Sequence, residues 1–521
     1  MNLPAPKTAT RSTTLLMMLT VAGAALIVHA RSWSHPFVYD DVFAVRDHPV
    51  VRGDEPWPAI LTSPYWPRTF TPDPLFRPVT LASFRLNADL FGMSARNFHV
   101  ANSILHALAS TLVALAAMVV WRRAAAGWMA GLPFALHPVH TEAVALIVGR
   151  SELLTLIFLL AMLILHLRHA RTDRRPSLPY HLGLSALYAL ACFSKEHGVL
   201  AIALIAAIDF NTSLDRSKCP ETPRQLLRRL ASSHYLGLII VAASIFFVRW
   251  LLFRWQTSLP SGVDNSAFNP MDNAQLAEKL LTPFKLLALS LQLILLPVNL
   301  CPIWAKGGLN LTGYLLDPPV LAGIAAGALL AAAAIRLRRH PAFAFVTGAL
   351  VFLLIPCHFI PVASWFFGER WLYTPTALFL IFASGLARAW PRVATAATCL
   401  IALAWATETW RYQNCWASDE AIVHAVVDRQ PRNFVGLREM CTLLDLRDSL
   451  ATGGSYVRLL VQCHPDETAT WYFQAKLLAE SGHYPEARLA LDRYWESASL
   501  PDLSPQLSEL VHRLENADRH D

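Results

Sequence analysis

The sequence predicts an all-α, polytopic membrane protein of about 11 spans with a polar helical domain at its C-terminus. Of the 521 residues, 54% are hydrophobic and only 16% are charged, whereas an average globular chain is about 25% charged. The mean hydropathy is +0.38. So much apolar surface exceeds what water-soluble cores of ordinary size bury, which excludes a soluble multidomain enzyme, a disordered chain and a small disulfide scaffold.

The charged residues indicate topology rather than nucleic-acid binding. The formal net charge is +7, and in a membrane protein Lys and Arg collect in short cytoplasmic loops. We therefore expect no nucleic-acid partner. The eight cysteines contain no C-x-x-C pair, so the sequence suggests neither a zinc ribbon nor a redox motif. Cys415, Cys441 and Cys463 would be able to include one disulfide if that part of the chain lies outside the cytoplasm.

Apolar runs outline the spans in chain order. Residues 13–30 follow Lys7 and Arg11 and predict a first span with its N-terminus inside, because no clear cleavage site precedes the polar segment. A first outer loop then covers residues 31–97. Further apolar runs lie at 100–121, 124–138, 142–167, 178–193, 197–210 and 233–254. Several are shorter than the roughly 20 residues of a full span, so we expect tilted or kinked helices.

The basic loops determine the sidedness. Arg122-Arg123, the RHARTDRR segment at 168–175 and the basic loop at 216–229 fall on one face, which predicts that this face is cytoplasmic. If residues 283–297 crossed the membrane, the RLRR segment at 336–339 would lie outside. A 283–297 segment that enters and returns, or that lies at the interface, keeps RLRR inside, and we prefer this arrangement. It places the N-terminus inside and the C-terminus outside.

The composition changes near residue 409, which predicts two domains, a transmembrane domain at 1–408 and a helical domain at 409–521. Residues 469–496 read as two amphipathic helices joined at Gly482, with Ala475 and Ala487 where the helices touch. This pattern is typical of one tetratricopeptide (TPR) unit, and neighbouring segments must complete a small array because one unit cannot bury its own face. The alternative is an unspecific helical hairpin.

Asp40 and Asp41 stand in the first outer loop, about ten residues after the first span. Adjacent carboxylates repel, which tends to raise the pKa of one of them. The pair suits a general base, a metal site, or a base with an orienting partner. The alternative is a solvated loop acid or a helix N-cap.

Three further polar clusters fall on the same predicted outer face, at the ends of apolar runs. Ionisable residues at membrane depth are costly and are usually functional, although each cluster alone would also fit a structural ion pair. The His-x-x-His spacing of the first cluster differs from the helical zinc motif, so a metal is the weaker interpretation there. The clusters comprise His137, His140, Glu142 and Arg150; Lys195 and Glu196; and Glu369, Arg370 and Tyr373.

At these clusters the chain resembles a known family over nearly its whole length. The similarity runs through FVYDDVFAVRDHPVV, FRPVTLASFRLNADLFG, FHVANSILH, FALHPVHTEAVALIVGRSELL, SKEHG and GERWLYTP, in that order. The chain resembles the transmembrane and tetratricopeptide-repeat O-mannosyltransferase-like proteins, within the polyprenyl-phosphate-dependent GT-C class of glycosyltransferases, and we expect a bacterial member. It departs from the family after residue 297, where an expected acidic residue is missing, and its repeat region is short.

The resemblance implies an inverting enzyme that moves mannose or another hexose from a polyprenyl-phosphate carrier to an acceptor hydroxyl, such as that of protein Ser or Thr. Asp40 and Asp41 would be catalytic, as base and partner. The residues implied in binding the donor phosphate and sugar are Arg77, His137, His140, Glu142, Arg150, Lys195, Glu196, Glu369, Arg370 and Tyr373. No cofactor is implied with certainty. If a metal takes part, Mg²⁺ or Mn²⁺ at Asp40 and Asp41 is the expected ion.

The resemblance also implies a location and partners. We expect a multi-pass protein of the bacterial inner membrane, or of the endoplasmic reticulum membrane if the source is eukaryotic, with a periplasmic or luminal C-terminal domain. The partners would be a lipid-linked sugar donor and an acceptor protein held by the TPR-like domain. Two alternatives from other classes are a non-catalytic membrane scaffold and a transporter of lipid-linked sugars. The sequence leaves the sugar, the acceptor and the oligomeric state open.

Overall fold

The computed structural model describes most of the chain and is all-α. It covers residues 10–67, 75–170, 177–216, 234–253, 268–361, 365–386, 391–447, 449–450, 452–497 and 505–517. Within these ranges no β-strand is present, and one isolated antiparallel bridge joins Trp304 and Phe367. The predicted all-α class is therefore confirmed.

Helices of ten or more residues fall into a membrane-type set and a C-terminal set. In chain order the first set is α1 Arg11–His29, α2 Pro78–Phe91, α3 Ala95–Trp121, α4 Ala124–Ala135, α5 Arg150–Ala170, α6 Leu178–Ser194, α7 Ala201–Arg216, α8 Tyr235–Phe253, α9 Leu276–Leu295, α10 Pro318–Arg336, α11 Ala342–Leu353, α12 Tyr373–Leu386 and α13 Pro391–Tyr412. The second is α14 Asp419–Arg429, α15 Phe434–Asp445, α16 Gly454–Cys463, α17 Thr468–Glu480, α18 Tyr484–Ser497 and α19 Pro505–Ala517.

The chain is an integral membrane protein. Among the described residues, five helical segments are long and apolar enough to cross a bilayer, namely Arg11–Ser34, Ala95–Trp121, Ile147–Ala170, Tyr235–Leu252 and Pro318–Arg336. The predicted total of about 11 spans stays a prediction. Much of the basic sequence that predicted the cytoplasmic face, at 171–176 and 217–233, lies outside the described residues.

The run predicted at 142–167 differs from the helix that forms. Residues 136–149 make short helical turns separated by extended backbone at His137 and Leu146, and the long helix α5 begins at Arg150. Pro138 restricts the preceding residue to extended backbone, which ends the helical path there. Residues 137–146 are mostly apolar because they are buried in the protein, and the segment long enough to cross a bilayer begins at Ile147.

The segment predicted to dip into the membrane at 283–297 lies largely within α9, one continuous helix. A helix of 20 residues is about 30 Å long. Pro283 lies inside this helix, and α9 packs along α10. Residues 283–295 follow this helix without a break, so the segment does not turn back on itself there, and its interfacial placement stays a prediction. The crossing arrangement also remains compatible with this geometry.

The described residues form two large hydrophobic cores. One lies between the apolar helices and includes Leu156, Leu204 and Phe345, among others. The other joins the first outer loop, the segment after α9 and the C-terminal helices. The second core includes both Val38 of the first outer loop and Phe473 of α17. The C-terminal helices therefore pack directly against the part of the protein that carries the acid pair.

The C-terminal segment predicted as a TPR unit forms a helical hairpin. Helices α17 and α18 pack together, Gly482 between them has φ of 78°, and Ala475 and Ala487 are fully buried. The repeat assignment itself stays a prediction, as does the domain boundary at 408/409, which falls inside α13.

The disulfide considered for the C-terminal cysteines is not formed. Cys415, Cys441 and Cys463 are free thiols, and the first two are buried. Each stands on a different helical segment of the C-terminal region.

Candidate active site

The acid pair lies in a tight turn beyond the first membrane helix. Tyr39 has φ of 50°, a left-handed conformation that is uncommon for a residue other than glycine. Its backbone N–H donates to Asp419 Oδ1 at 2.8 Å, which ties the turn to the start of α14. The carboxyl groups of Asp40 and Asp41, which follow, have different surroundings.

Asp41 is fully buried and anchors backbone. Its Oδ2 accepts a hydrogen bond from the Ile147 N–H at 3.0 Å, and its Oδ1 accepts one from the Val148 N–H at 2.8 Å. Burial raises the pKa of Asp41 to about 8, while the two amide donors act in the opposite direction. Asp41 thus fixes the turn that leads into α5.

Asp40 and Glu142 converge on one guanidinium. Arg370 Nη1 lies 3.3 Å from Asp40 Oδ2, and Arg370 Nε lies 3.3 Å from Glu142 Oε1. The backbone N–H of Arg370 also donates to Glu142 Oε2 at 2.8 Å. Burial raises the pKa of Asp40, and the charge of Arg370 opposes this shift. Three of the predicted site residues, far apart in sequence, therefore meet in one cluster.

This cluster opens into a pocket with mostly aromatic walls. Asp40, Glu142 and Arg370 are its charged lining residues. The remaining lining residues are Tyr39, Leu146, Pro302, Ile303, Trp304, Trp365, Phe367, Gly368, Trp371 and Trp416. Small-molecule sites commonly combine such apolar walls with a few convergent polar groups. Asp40 lines the pocket, whereas Asp41 is not among its lining residues.

Lys195 forms an ion pair close to the pocket. It bonds to Glu152, whose other oxygen lies 3.4 Å from His197 Nε2. Burial lowers the pKa of Lys195, and the charge of Glu152 opposes that shift. Arg77 and Arg370 also lie close enough to lower the pKa of Lys195. The cations predicted from separate loops are therefore brought into one electrostatic neighbourhood.

Arg77 binds Glu196 with a bidentate pattern. Its Nε lies 3.1 Å from both carboxylate oxygens, and its Nη2 lies 2.9 Å from Oε2. Burial opposes ionisation of Glu196, but the charge and hydrogen bonds of Arg77 outweigh it and lower the pKa of Glu196 to about 2. The guanidinium of Arg77 also stacks over the Tyr65 ring at 4.7 Å.

Glu369 lies outside the pocket lining and joins three segments. Its Oε1 accepts hydrogen bonds from the Cys301 N–H at 2.6 Å and from Trp304 Nε1 at 3.3 Å, and its Oε2 accepts one from the Tyr412 hydroxyl at 3.0 Å. Burial and the neighbouring charge of Glu142 raise the pKa of Glu369 to about 8. These contacts give Glu369 a supporting position.

Arg150 is engaged within the helix packing. Its guanidinium donates to the side-chain oxygens of Asn102 at 2.7 Å and Asn87 at 3.0 Å, and to the backbone carbonyls of Ser83 and Phe98, both at 3.1 Å. Buried polar groups that are satisfied in this way hold neighbouring elements together. The structure places Arg150 outside the pocket lining.

The two predicted histidines and Tyr373 also lie in the packed interior. His137 Nε2 lies 2.9 Å from the Ile294 carbonyl, and His140 Nδ1 lies 2.9 Å from the Phe134 carbonyl. The hydroxyl of Tyr373 shares a 2.7 Å hydrogen bond with Nδ1 of a histidine in α3. These three side chains support the junction of α4, α9 and α12 rather than the pocket wall.

The acid pair has limited capacity for a metal ion. Both oxygens of Asp41 accept backbone N–H groups, so an ion shared by Asp40 and Asp41 would have to replace those donors. Asp40 and Glu142 both bring a carboxylate to the pocket, and Arg370 lies between them. Its guanidinium supplies the positive charge that a cation would otherwise provide there.

Several residues in and beside the pocket were missed by sequence reasoning. Glu152 stands two residues after Arg150, and the cost of a carboxylate in an apolar helix would have identified it. Trp304, Trp365 and Trp416 come from segments far apart in the chain and carry no local motif. Aromatic residues are common in outer loops, so only the tertiary structure brings them to one pocket.

Curated relatives of this chain are protein O-mannosyl-transferases. Protein O-mannosyl-transferase TMTC1 of Homo sapiens is 30% identical over 457 residues, which covers 79% of this chain and 51% of that protein. A protein O-mannosyl-transferase of Caenorhabditis elegans is 27% identical over 72% of this chain and 52% of its own length. The chain thus spans about half the length of the curated relatives it matches. No family model matches the sequence.

Among solved structures, two proteins are similar to this chain, each with a TM-score below 0.5. ArnT from Cupriavidus metallidurans bound to undecaprenyl phosphate has a TM-score of 0.41 and 13% identity, covering 96% of this chain and 77% of that chain. The archaeal oligosaccharyltransferase AglB from Archaeoglobus fulgidus has a TM-score of 0.40 and 15% identity, covering 78% and 56%. By its sequence, the chain is similar to protein O-mannosyl-transferases, and it is matched over about half of their length.

Proposed function

We propose that this protein is a membrane glycosyltransferase that transfers mannose or another hexose from a polyprenyl-phosphate carrier to the hydroxyl of a protein Ser or Thr. The observation that carries the proposal is the convergence of Asp40 and Glu142 on Arg370 at an aromatic pocket. The pocket is lined by segments between the membrane helices and by the C-terminal region, where a lipid-linked donor and a water-soluble acceptor would meet. The relationship to O-mannosyl-transferases supports the same activity.

Asp40 is the proposed general base. A hydroxyl becomes an effective nucleophile when a carboxylate accepts its proton, and positioned bases typically contribute about 10²–10⁴-fold to the rate. Asp40 lines the pocket, and Arg370 Nη1 donates to its Oδ2, so Oδ1 is the oxygen proposed to take the proton. Asp41 is instead a positioning residue, because its oxygens hold the backbone of Ile147 and Val148.

Arg370, Lys195 and Arg77 are the proposed cations for the leaving phosphate. When an acceptor oxygen attacks the anomeric carbon, the bond from that carbon to the phosphate oxygen breaks and negative charge grows on the phosphate. Preorganised cations stabilise such charge. Each of these three cations is held by a carboxylate in the structure, so the donor phosphate would share or replace those partners. Attack opposite the leaving group inverts the anomeric configuration.

The C-terminal helices are the proposed acceptor side of the site. Trp416 lines the pocket, and Asp419 at the start of α14 holds the acid turn through the Tyr39 N–H. An acceptor peptide bound along these helices would therefore reach Asp40 directly. We propose that this side is periplasmic or luminal and that the N-terminus is cytoplasmic, in agreement with the distribution of basic residues.

The experiment is transfer from a panel of polyprenyl-phosphate sugars to a Ser/Thr-rich peptide, using the full chain purified in detergent. We expect glycosylated peptide with at least one hexose donor, and parallel reactions with and without chelator measure metal dependence. Asp47→Asn is the matched control for Asp40→Asn, because Asp47 is an exposed acid of the same loop and is paired with Arg46. Absence of transfer from every donor would overturn the proposal.

A further inference from the structure

A second cluster of ionisable side chains lies at the opposite end of the helix bundle. It consists of His166 near the end of α5, Asp209 in α7 and His234 directly before α8. Glu152, beside the candidate active site, is 14 residues earlier in α5 than His166, which corresponds to about 21 Å along the helix. The cluster is therefore separate from the site described above.

The three side chains present ligand atoms to a common point. His166 Nε2 lies 3.1 Å from Asp209 Oδ1, and His234 Nε2 lies 3.1 Å from Asp209 Oδ2. One atom from each residue lies within 4.8 Å of the others. His166 and His234 are buried, and the side chain of Asp209 is 24% exposed, which leaves a path to solvent.

Neighbouring groups orient these ligands in the manner of a metal site. Tyr180 at the start of α6 hydrogen-bonds His166 Nδ1 at 2.6 Å, which leaves Nε2 directed at the cluster. The Tyr235 hydroxyl donates to Asp209 Oδ2 at 2.9 Å. Metal-binding imidazoles usually hold their second nitrogen in a hydrogen bond of this kind, which fixes the ring orientation and the tautomer.

We propose that His166, Asp209 and His234 form a binding site for a divalent transition metal ion, zinc being the ion that suits them best. Zinc takes imidazole nitrogen and carboxylate oxygen at about 2.0–2.2 Å, and ligand atoms around a tetrahedral ion are about 3.3–3.5 Å apart. Small side-chain rotations would bring the observed atoms to that spacing. The site would have three protein ligands and one position for water.

Such an ion would clasp the ends of neighbouring helices. The ligands come from α5, α7 and the residue before α8, and Tyr180 links α6 to the same cluster. The three ligands come together only in the folded protein, so the ion binds the folded state and not the unfolded state. Its binding would therefore stabilise this end of the bundle. The competing arrangement is an Asp paired with two histidines without metal, and the two differ in zinc content.

The test measures zinc bound by the full-length protein, purified in detergent through a tag that contains no histidine. After chelation, reloading with zinc chloride and removal of excess ion, we expect about one zinc per chain by elemental analysis. Asp209→Asn and His166→Gln should each lose that zinc. Wild-type protein that retains no zinc, or variants that retain as much as wild type, would overturn the proposal.

Matched controls separate ligation from general damage. The controls are His169→Gln and His181→Gln. His169 contacts the Tyr180 ring and His181 contacts the His234 ring, but neither is a proposed ligand. Both variants should keep the wild-type zinc content. If the ligand variants fail to fold, Tyr180→Phe removes only the hydrogen bond to His166. It should weaken zinc affinity by about 10–100-fold while leaving the saturated stoichiometry unchanged, and unchanged affinity would count against the site.

The readout is independent of the proposed transfer activity. Asp40→Asn lies at the other end of the bundle and should bind zinc as wild type does. Zinc should also raise the thermal unfolding temperature of wild type but not that of Asp209→Asn. Loss of zinc binding and loss of transfer are therefore separate results. If zinc does not change the unfolding temperature of wild type, the proposed stabilisation of the helix ends by the ion is contradicted.

Discussion

Asp40 and Asp41 are neighbours in the chain, yet their carboxyl groups have different partners. Asp40 meets Arg370 at the pocket, and Asp41 holds the N–H groups of Ile147 and Val148. The left-handed backbone just before them begins the turn that separates the two groups. At the scale of single residues the two acids can be tested separately, one for a chemical role and one for a structural role.

The pH dependence of transfer should report the ionisation of Asp40. A base acts in its ionised form, so activity should rise as pH increases through the folded-state pKa of Asp40. Burial raises that pKa and Arg370 lowers it, and removing the charge in Arg370→Gln should move the acidic limb to higher pH. Arg370→Lys, which keeps the charge, should move it less. The measurement is kcat/KM against pH, and identical limbs in Arg370→Gln and wild type would contradict the assignment.

Asp41→Asn should lower the stability of the protein. An amide can accept only through one oxygen, so one of the two buried backbone donors loses its partner, which typically costs about 1–3 kcal/mol. The measurement is the free energy of unfolding in detergent. Asp40→Asn is the control, because Asp40 is bound by the Arg370 side chain at the pocket and holds no part of this backbone turn. Equal stability of Asp41→Asn and wild type would remove the anchoring role.

At the scale of elements, the segment after α9 connects the bundle to the C-terminal helices. Arg429 Nη1 donates to the Leu300 carbonyl at 2.7 Å. The Phe434 N–H donates to the Lys306 carbonyl at 2.9 Å. Both bonds join loop backbone to the C-terminal helices, so this segment is held at two points on either side of the aromatic pocket wall that it contributes.

The same segment is also held by charge and by close backbone packing. Lys306 Nζ lies 2.7 Å from Glu467 Oε1, in the turn before α17. Gly307 has φ of 82° within this contact. The close approach of the two backbones explains why the aromatic wall of the pocket and the C-terminal helices form one core.

Gly307→Ala should disturb this contact strongly. A Cβ there would lie 1.9 Å from the Arg432 carbonyl oxygen, in addition to the strain of a left-handed backbone. Overpacking typically costs about 1–3 kcal/mol. Gly482→Ala is the matched control, because Gly482 has φ of 78° but nothing within 4 Å of the added Cβ. Thermal unfolding should drop further for Gly307→Ala than for Gly482→Ala, and equal losses would show that packing is not the cause.

At the scale of the whole molecule, the acid loop and the C-terminal helices must lie on one side of the membrane if they form a single site. Their shared core from Val38 to Phe473 supports this requirement. The proposed orientation puts the basic segments at 168–175 and 216–229 on the other side.

Reporter fusions should show this orientation. Alkaline phosphatase, which folds only in an oxidising compartment, should be active when fused after residue 521 and inactive when inserted within residues 171–176. Green fluorescent protein should give the opposite pattern in a bacterial host. Fluorescence from the C-terminal fusion together with inactive phosphatase would contradict the proposed topology.

Sequence patterns predicted the all-α membrane class because hydropathy and charge are properties of local segments. The same reasoning grouped Arg150 with the site cations, since a buried arginine satisfied by Asn102 and Asn87 looks identical in sequence to one that binds phosphate. The cluster of His166, Asp209 and His234 was missed because its members stand on separate helical segments and share no local spacing. The sequence did not predict which residues far apart in the chain contact one another.

The proposed role of Asp40 is tested most directly by comparing transfer by wild type, Asp40→Asn and Asp47→Asn from one polyprenyl-phosphate hexose donor to one Ser/Thr peptide. We predict that wild type and Asp47→Asn transfer at similar rates. Asp40→Asn should keep its fold and donor binding but lose about 10²–10⁴-fold in rate, because the proposed base is gone. A folded Asp40→Asn variant that transfers the hexose at the wild-type rate would contradict the proposed mechanism.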